Sequence, residues 1–240
     1  MKVLNDLLGY ENLQLYQDDT MFSFTLDSIL LARFINFNKR MTKIVDFGTN
    51  NGVIPLIISR YTTAAITGVE INSQAVVLAQ ENMSLNELNH QVKIVNDDIK
   101  VFAKKNIHGF DLVVCNPPFF EVGEKTKTRE TNPLMVDARH ETLINLAEII
   151  QSASLCLNNK GVFVMVHRAQ RTGEIIELFH QYHLVVKRLR FVYSKSKYEA
   201  KTVLIEGQKQ GNKGVEILPA LIAHNDDETY SDEILEFFRD

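Results

Sequence analysis

The sequence predicts an α/β fold, a mostly parallel sheet covered by helices on both faces, in a chain of 240 residues. Three observations carry this. Short β-rich runs alternate with helical patterns along most of the chain. That alternation implies a parallel sheet covered on both faces, and the runs Ile44 to Phe47 and Phe110 to Cys115 are largely apolar, as buried strands are. A glycine-bearing turn from Gly48 to Gly52 joins the first of them to a helix, the setting in which backbone amides approach a bound ligand.

The elements follow in order. An amphipathic pattern from Ser28 to Phe37 reads as a helix, with Asp27 placed where a carboxylate suits a helix N-terminus. Ile44 to Phe47 is a strand and a helix opens near Val53. Ala65 to Glu70 is the second buried strand, followed by a helix over Asn72 to Asn86. Val92 to Asn96 and Phe110 to Cys115 are two more strands, and Leu143 to Leu157 is a helix before the strand Gly161 to Val166. A further helix begins beyond Gln170, then come strands Val185 to Tyr193 and Thr202 to Glu206, the second placed to close the sheet antiparallel. The polar stretch from Phe120 to Ala138 has no clear period and exceeds the usual connection length, which marks a loop that is functional or mobile. Gly207 to Gly214 is a polar turn before an apolar run, Val215 to Ala223, and an acidic tail.

Hydrophobic residues make up 45% of the chain and charged residues 23%, enough for one substantial core. Cys115 and Cys156 lie in apolar stretches and are too few for a disulfide framework, so buried thiols in a reducing cytoplasm are expected. Acids near the N-terminus and the lack of a long apolar run argue against a signal peptide or membrane span. The net charge of −4 at first disfavours a nucleic-acid partner. Residues 226 to 240, however, hold seven acids against Arg239 and contribute −6, leaving +2 elsewhere. Between 187 and 201 stand Lys187, Arg188, Arg190, Lys195, Lys197 and Lys201 against Glu199, interleaved with Phe191, Tyr193 and Tyr198. Such a stretch is either an RNA-facing edge or a solvated strand and turn.

The run Asp46-Phe47-Gly48-Thr49-Asn50-Asn51-Gly52 is the first candidate ligand site. Glu70 ends the next strand 24 positions after Asp46, near the spacing at which a carboxylate accepts from a ribose diol, with a helix-capping carboxylate the alternative, and Ile71 adjoins it. A dinucleotide loop would read G-x-G-x-x-G, but positions 50 and 53 are Asn and Val, which disfavours NAD. Asn can take the left-handed backbone that glycine usually supplies, so Asn50 and Asn51 need not abolish the turn. Asp98, after the third strand, is placed to accept from a cofactor adenine, with Asp97 the competing candidate and an ordinary turn the alternative.

Cys115-Asn116-Pro117-Pro118-Phe119-Phe120 falls where the fourth parallel strand emerges at the carboxyl edge of the sheet, the edge at which ligands bind. An N–H2 conjugated to a ring or carbonyl is a poor nucleophile because its lone pair is delocalised. Two acceptors, one per hydrogen, hold it for attack and favour a pyramidal nitrogen. Asn116 offers its side-chain oxygen and Pro117 its carbonyl, while the second proline restrains the loop. Phe119 is placed to stack on a planar substrate, and Cys115 reads as a buried strand thiol rather than a nucleophile.

These residues resemble the class I methyltransferases of amino groups, whose motif is Asn/Asp-Pro-Pro-Tyr/Phe. Within that class the chain looks most like the bacterial tRNA1(Val) adenine-N6 methyltransferases. The match is carried by Phe22-Ser23-Phe24-Thr25-Leu26-Asp27-Ser28, the loop at 46 to 52, Asn116 to Phe120, and Ala138-Arg139-His140-Glu141. The resemblance implies a Rossmann-like, seven-stranded sheet with a small N-terminal extension. It divides the chain into a segment 1–36 covering the cofactor site, a methyltransferase domain 37–225 and an acidic tail 226–240. S-adenosyl-L-methionine is the implied cofactor, held by Asp27, Asp46, Gly48, Asn50, Gly52, Glu70, Ile71, Asp98 and Asn116. Asn116, Pro117 and Phe119 are the implied catalytic residues. Phe119, Phe120, Arg139, Lys195 and Lys197 are the expected substrate contacts, and the anticodon loop of a tRNA is the expected partner. A cytoplasmic monomer without a metal is expected.

Three rivals remain at this point. A protein glutamine, as in a translation release factor, presents an amide N–H2 that the same motif could hold. Guanine N2 in ribosomal RNA is a second substrate of that chemistry. A noncatalytic cofactor-binding module is the third, and the presence of Asn116 argues against it.

Overall fold

The computed structural model describes residues 2–7, 10, 12–18, 25–117 and 144–238. Eleven strands, β1 to β11, and seven α-helices, α1 to α7, follow in chain order among these residues. A hairpin, β1 (Lys2–Asp6) and β2 (Gln14–Asp18), precedes α1 (Leu26–Phe34). Then come β3 (Lys43–Phe47), α2 (Val53–Ile58), β4 (Ala65–Glu70), α3 (Ser73–Leu85), β5 (Val92–Asn96), α4 (Ile99–Lys105) and β6 (Phe110–Cys115). The second half runs α5 (Leu146–Cys156), β7 (Leu157–Arg168), α6 (Thr172–Gln181), β8 (Leu184–Tyr193), β9 (Ala200–Lys209), β10 (Glu216–Ile217), β11 (Leu221–Ile222) and α7 (Asp232–Phe237).

The long strands stand in the order β8-β9-β7-β6-β3-β4-β5, and β10 and β11 extend the β8 edge to make nine strands rather than seven. β9 is antiparallel to both β7 and β8, as expected for the strand that closes the sheet. The strand order reverses at β3, which is flanked by β4 and β6. That reversal opens a crevice beyond the carboxyl ends of β3 and β6, where open α/β sheets bind ligands.

The apolar strands are buried from both sides. One face packs Ile44, Leu112, Val114 and Val164 against Leu30 and Leu31 of α1, Leu56 and Ile57 of α2 and Ala79 of α3. The other packs Val45, Phe47, Val113 and Phe163 against Phe102 of α4, Ile149 and Ile150 of α5 and Phe179 of α6. Helix boundaries follow capping chemistry. α3 starts where Asn72 Oδ1 accepts from Gln74 and Ala75 N–H, at 2.9 and 3.2 Å. α5 starts three residues later than the apolar pattern suggested, because Asn145 and Glu148 form a reciprocal capping box. α1 covers Leu26–Phe34 rather than 28–37. α4 and the N-terminal hairpin have no counterpart in the sequence pattern.

β2 has an unusual second partner. Its outer backbone groups bond to two asparagine amides one turn apart on α3. Tyr16 N–H donates to Asn82 Oδ1 at 2.7 Å and Tyr16 O accepts from Asn82 Nδ2 at 3.1 Å, while Asn86 does the same for Gln14 at 3.0 and 2.8 Å. Asn82 Nδ2 also donates to Asn51 O at 2.8 Å, which ties this hairpin to the glycine loop.

The acidic tail is part of the core. Ile234 of α7 is fully buried, and Phe237 and Phe238 pack against the same cluster. Replacing Ile234 by Ala should cost about 2–4 kcal/mol, the range for a buried isoleucine. Chemical denaturation checks this, and an unchanged midpoint would mean the tail is not packed as described.

Candidate active site

The turn after β3 is built for a close approach by a ligand. Gly48 and Gly52 have φ of 70° and 82°, and Asn50 has 48°, so Asn50 takes the left-handed conformation that a glycine would otherwise supply. Among the described residues, chain neighbours aside, no atom lies within 4 Å of where a Cβ on Gly48 would stand, which leaves room beside this face of the loop. At Gly52 the same atom would meet Met83 Cε at 2.9 Å, which fits the loop tightly over α3.

Glu70 ends β4 beside this loop. Its carboxylate accepts from Asn50 N–H through Oε2 and from Asn72 N–H through Oε1, both at 2.9 Å. It thus braces the glycine loop against the start of α3. Burial pushes its carboxyl above the usual range, and these backbone hydrogen bonds offset part of that. Ile71, next in the chain, is 49% exposed, an apolar surface at the mouth of the crevice.

Asp46 lies deeper. It is fully buried, and neither carboxylate oxygen has a hydrogen-bond partner of normal geometry among the described residues. Thr49 Oγ1 and Asn51 Oδ1 beside it are likewise buried without partners. Burial pushes the Asp46 carboxyl up to about 8; the Thr49 hydroxyl nearby lowers it and the Glu70 carboxylate raises it. A cluster of buried polar oxygens without partners among the described residues, beside the glycine loop, calls for a polar ligand that brings donors to the carboxylate and amide oxygens. An amino-acid ammonium and a ribose diol supply such donors, so these residues fit a nucleoside cofactor bearing both.

The Asp46 shift has a testable sign. From about pH 4 to about pH 8 the unfolded residue is ionised while the folded one keeps its proton. The unfolded chain then holds fewer protons, so this group withdraws stability as pH rises through that window. Without cofactor, Asp46→Asn should gain stability over the parent progressively between about pH 5 and pH 8 by denaturant titration. A difference that does not vary with pH would contradict the burial account.

Asn116 and Pro117 follow β6 directly, one strand from the glycine loop, and Pro117 is buried. Asn116 Nδ2 donates to Ser28 Oγ of α1 at 3.1 Å, so its Oδ1 is the end available to accept. Cys115 is 1% exposed, and burial, helped by Asp46, raises its thiol well above the usual range. A thiol so held is no nucleophile. Asp27, beside Ser28, has its carboxyl pushed up to about 6 by burial.

The remaining expectations fare differently. Asp98 caps α4, its Oδ1 accepting from Lys100 N–H at 2.7 Å, while Asp97 accepts from Asp98 N–H and pairs with Lys105 at 2.9 Å. Both strand-end acids therefore have local structural work. Phe119, Phe120, Arg139, His140 and Glu141 lie outside the described residues. Lys195 and Lys197 sit in the turn between β8 and β9. Register through the sheet aligns Cys115 with Met165, Ile205 and Leu189. β8 continues to Tyr193, so the turn stands roughly 13 Å past the level of Cys115, on the ligand edge, about three strand spacings aside. The tail partly neutralises it: Lys195 pairs with Glu228, and Arg190 pairs with Glu233 at 2.6 Å. Lys197 and Lys201 are exposed.

Sequence reasoning named Ser28, Thr49 and Asn51 only within longer runs, with no side-chain role of their own, and did not name Asn82. Ser28 was legible only as a helix residue after Asp27, and Asn82 only as a polar position inside α3. Among the described residues no helix is long and apolar enough to cross a membrane, and no cluster of His, Cys, Asp and Glu could hold a metal ion.

The sheet order, the glycine loop and the strand-end Asn-Pro define a class I methyltransferase, the class that uses S-adenosylmethionine. A model of the methyltransferase small domain matches residues 12–195, and the chain belongs to that family. A tRNA1(Val) (adenine(37)-N6)-methyltransferase from Bacteroides fragilis is 24% identical over 234 residues, 96% of this chain and 95% of that protein. One of the same description from Citrobacter koseri is 28% identical over 128 residues, 52% of this chain and about half (51%) of the relative's own length. Among solved structures, a protein described as a predicted O-methyltransferase from Agrobacterium tumefaciens superposes with a TM-score of 0.68 at 17% identity, covering 89% of this chain and 97% of that one. This last likeness is one of fold.

Proposed function

We propose that the protein transfers a methyl group from S-adenosylmethionine to the N6 amino group of an adenine in tRNA, adenine 37 of the anticodon loop of a valine tRNA. Asn116 carries the amino-group part of this reading: an amide oxygen at the end of β6, oriented by Ser28 and one strand from the cofactor loop. The names of relatives that align along nearly the whole chain support the tRNA part.

When bound, S-adenosylmethionine supplies a methyl group on a sulfonium sulfur, an electrophile that requires no covalent enzyme intermediate. Gly48, Asn50 and Gly52 offer it a backbone cradle, Asp46 and Glu70 the acceptors, and Ile71 an apolar surface for its base. Asp27 closes the site from the N-terminal segment, residues 1–36, in this reading, and Asn82 ties Tyr16 of that segment to Asn51 of the loop. Asp98, which caps α4, is assigned to the adenine of the cofactor in this reading, with Asp97 the competing candidate. Asn116 Oδ1 and the Pro117 carbonyl accept the two amino hydrogens. They stay hydrogen-bonded as the N–C bond forms, the methyl–sulfur bond breaks to leave a neutral thioether and the nitrogen becomes cationic, which stabilises the developing charge until the extra proton is lost to water. Phe119, with Phe120 and Arg139, completes the base pocket in this reading. An adenine stacked in an anticodon loop must be splayed outward to enter it.

The β8–β9 turn is the proposed phosphate contact. Lys197→Ala should lower the slope of log affinity against log salt by about 1 for unmodified tRNA. Lys195→Ala should lower it less, since Glu228 already shares its charge. Titration across a salt series reads both, and unchanged slopes would remove this turn from the RNA surface. The function itself is tested by identifying the nucleoside that receives label from methyl-labelled cofactor.

A further inference from the structure

A terminal amide can turn end for end with little change in shape. Only one of the two orientations of Asn116 offers an acceptor to a substrate N–H2; the other would set donors against donors. Ser28 Oγ receives Asn116 Nδ2 at 3.1 Å from a residue 88 positions earlier. That hydroxyl does not wander. Ser28 is 4% exposed, its N–H donates to Thr25 O at 3.1 Å, and Ile29, Leu30 and Leu31 after it are buried in the core.

We propose that Ser28 is a positioning residue, whose hydroxyl oxygen takes up the amide nitrogen of Asn116 and so turns Oδ1 toward the substrate amino group. This rests on the reading of Asn116 as the acceptor given above. It also gives α1 a role beyond covering the cofactor: the helix reaches the reacting nitrogen through one side chain. Loss of the hydroxyl would leave the amide free to take either orientation and its N–H without that partner. An aspartate at 116 would have no such ambiguity, because both of its oxygens accept.

The test uses methyl-labelled S-adenosylmethionine with unmodified bulk tRNA. Ser28→Ala should lower kcat roughly tenfold, while KM for tRNA and Kd for cofactor stay within about twofold. Ser28→Thr, which keeps the hydroxyl, should hold most of the turnover. In an Asn116→Asp background Ser28→Ala should change kcat by less than about twofold. A residue with only a structural role would reduce turnover by the same factor in both backgrounds. Parental kcat in Ser28→Ala, or equal losses in the two backgrounds, would overturn the proposal. Asn116→Ala in the same assay separates the two readings. If it is inactive while Ser28→Ala is fully active, the Ser28 inference alone falls. If Asn116→Ala is active, the acceptor reading itself falls.

Discussion

Asn116→Ala is expected to bind S-adenosylmethionine as the parent chain does and to lose turnover by about 10²–10³, the cost of removing one preorganised hydrogen-bonding group at a reacting centre. The loss should appear in kcat, because Oδ1 acts on charge that develops as the nitrogen is alkylated. The substituted side chain is partly exposed at the end of β6, and its hydrogen-bond partner among the described residues, Ser28, can keep its own backbone bond to Thr25. The fold should therefore survive. Isothermal titration of cofactor and single-turnover methyl transfer read the two halves separately. Weakened cofactor binding with unchanged kcat would place Asn116 in the cofactor site alone.

Glu70→Ala is expected to act on the other half of the site. Its carboxylate receives two backbone N–H groups and, in the proposed complex, a ribose hydroxyl. Removing it leaves the amides of Asn50 and Asn72 without their acceptor and frees the glycine loop from the start of α3. Hydrogen bonds to a charged group contribute about 1.5–3 kcal/mol, so cofactor affinity should fall roughly 10- to 100-fold. Glu70→Gln should fall less, since the amide oxygen can keep one of the two backbone bonds. Cofactor titration decides, and an unchanged Kd in Glu70→Ala would move the ribose elsewhere.

Much of this was legible because burial on both faces writes continuous apolar runs. Ile44, Val45 and Phe47 of β3 are fully buried, and the sequence shows them as one run ending in a glycine turn. Glu70 and Asn116 were legible because the chain order of a doubly wound sheet brings successive strand ends to one edge. What escaped did so for physical reasons. The hairpin strand Gln14–Asp18 has few apolar residues, because it is held through its backbone by Asn82 and Asn86, a contact that leaves no periodic trace. The tail reads as solvated acid, yet Ile234, Phe237 and Phe238 anchor it, and Glu228 and Glu233 answer the basic stretch at Lys195 and Arg190. Two charge runs that looked independent are one paired surface. Ser28 escaped because its meaning lies in a hydrogen bond to a residue far along the chain.

The central claim, methyl transfer to an adenine amino group in tRNA, is tested most directly by one assay. Unmodified total tRNA and, separately, translation release factors are incubated with the protein and methyl-labelled S-adenosylmethionine, then digested and resolved by mass spectrometry. The account predicts N6-methyladenosine in a valine tRNA and no label in the release factors. Label confined to a glutamine side chain, or to guanine, would contradict it.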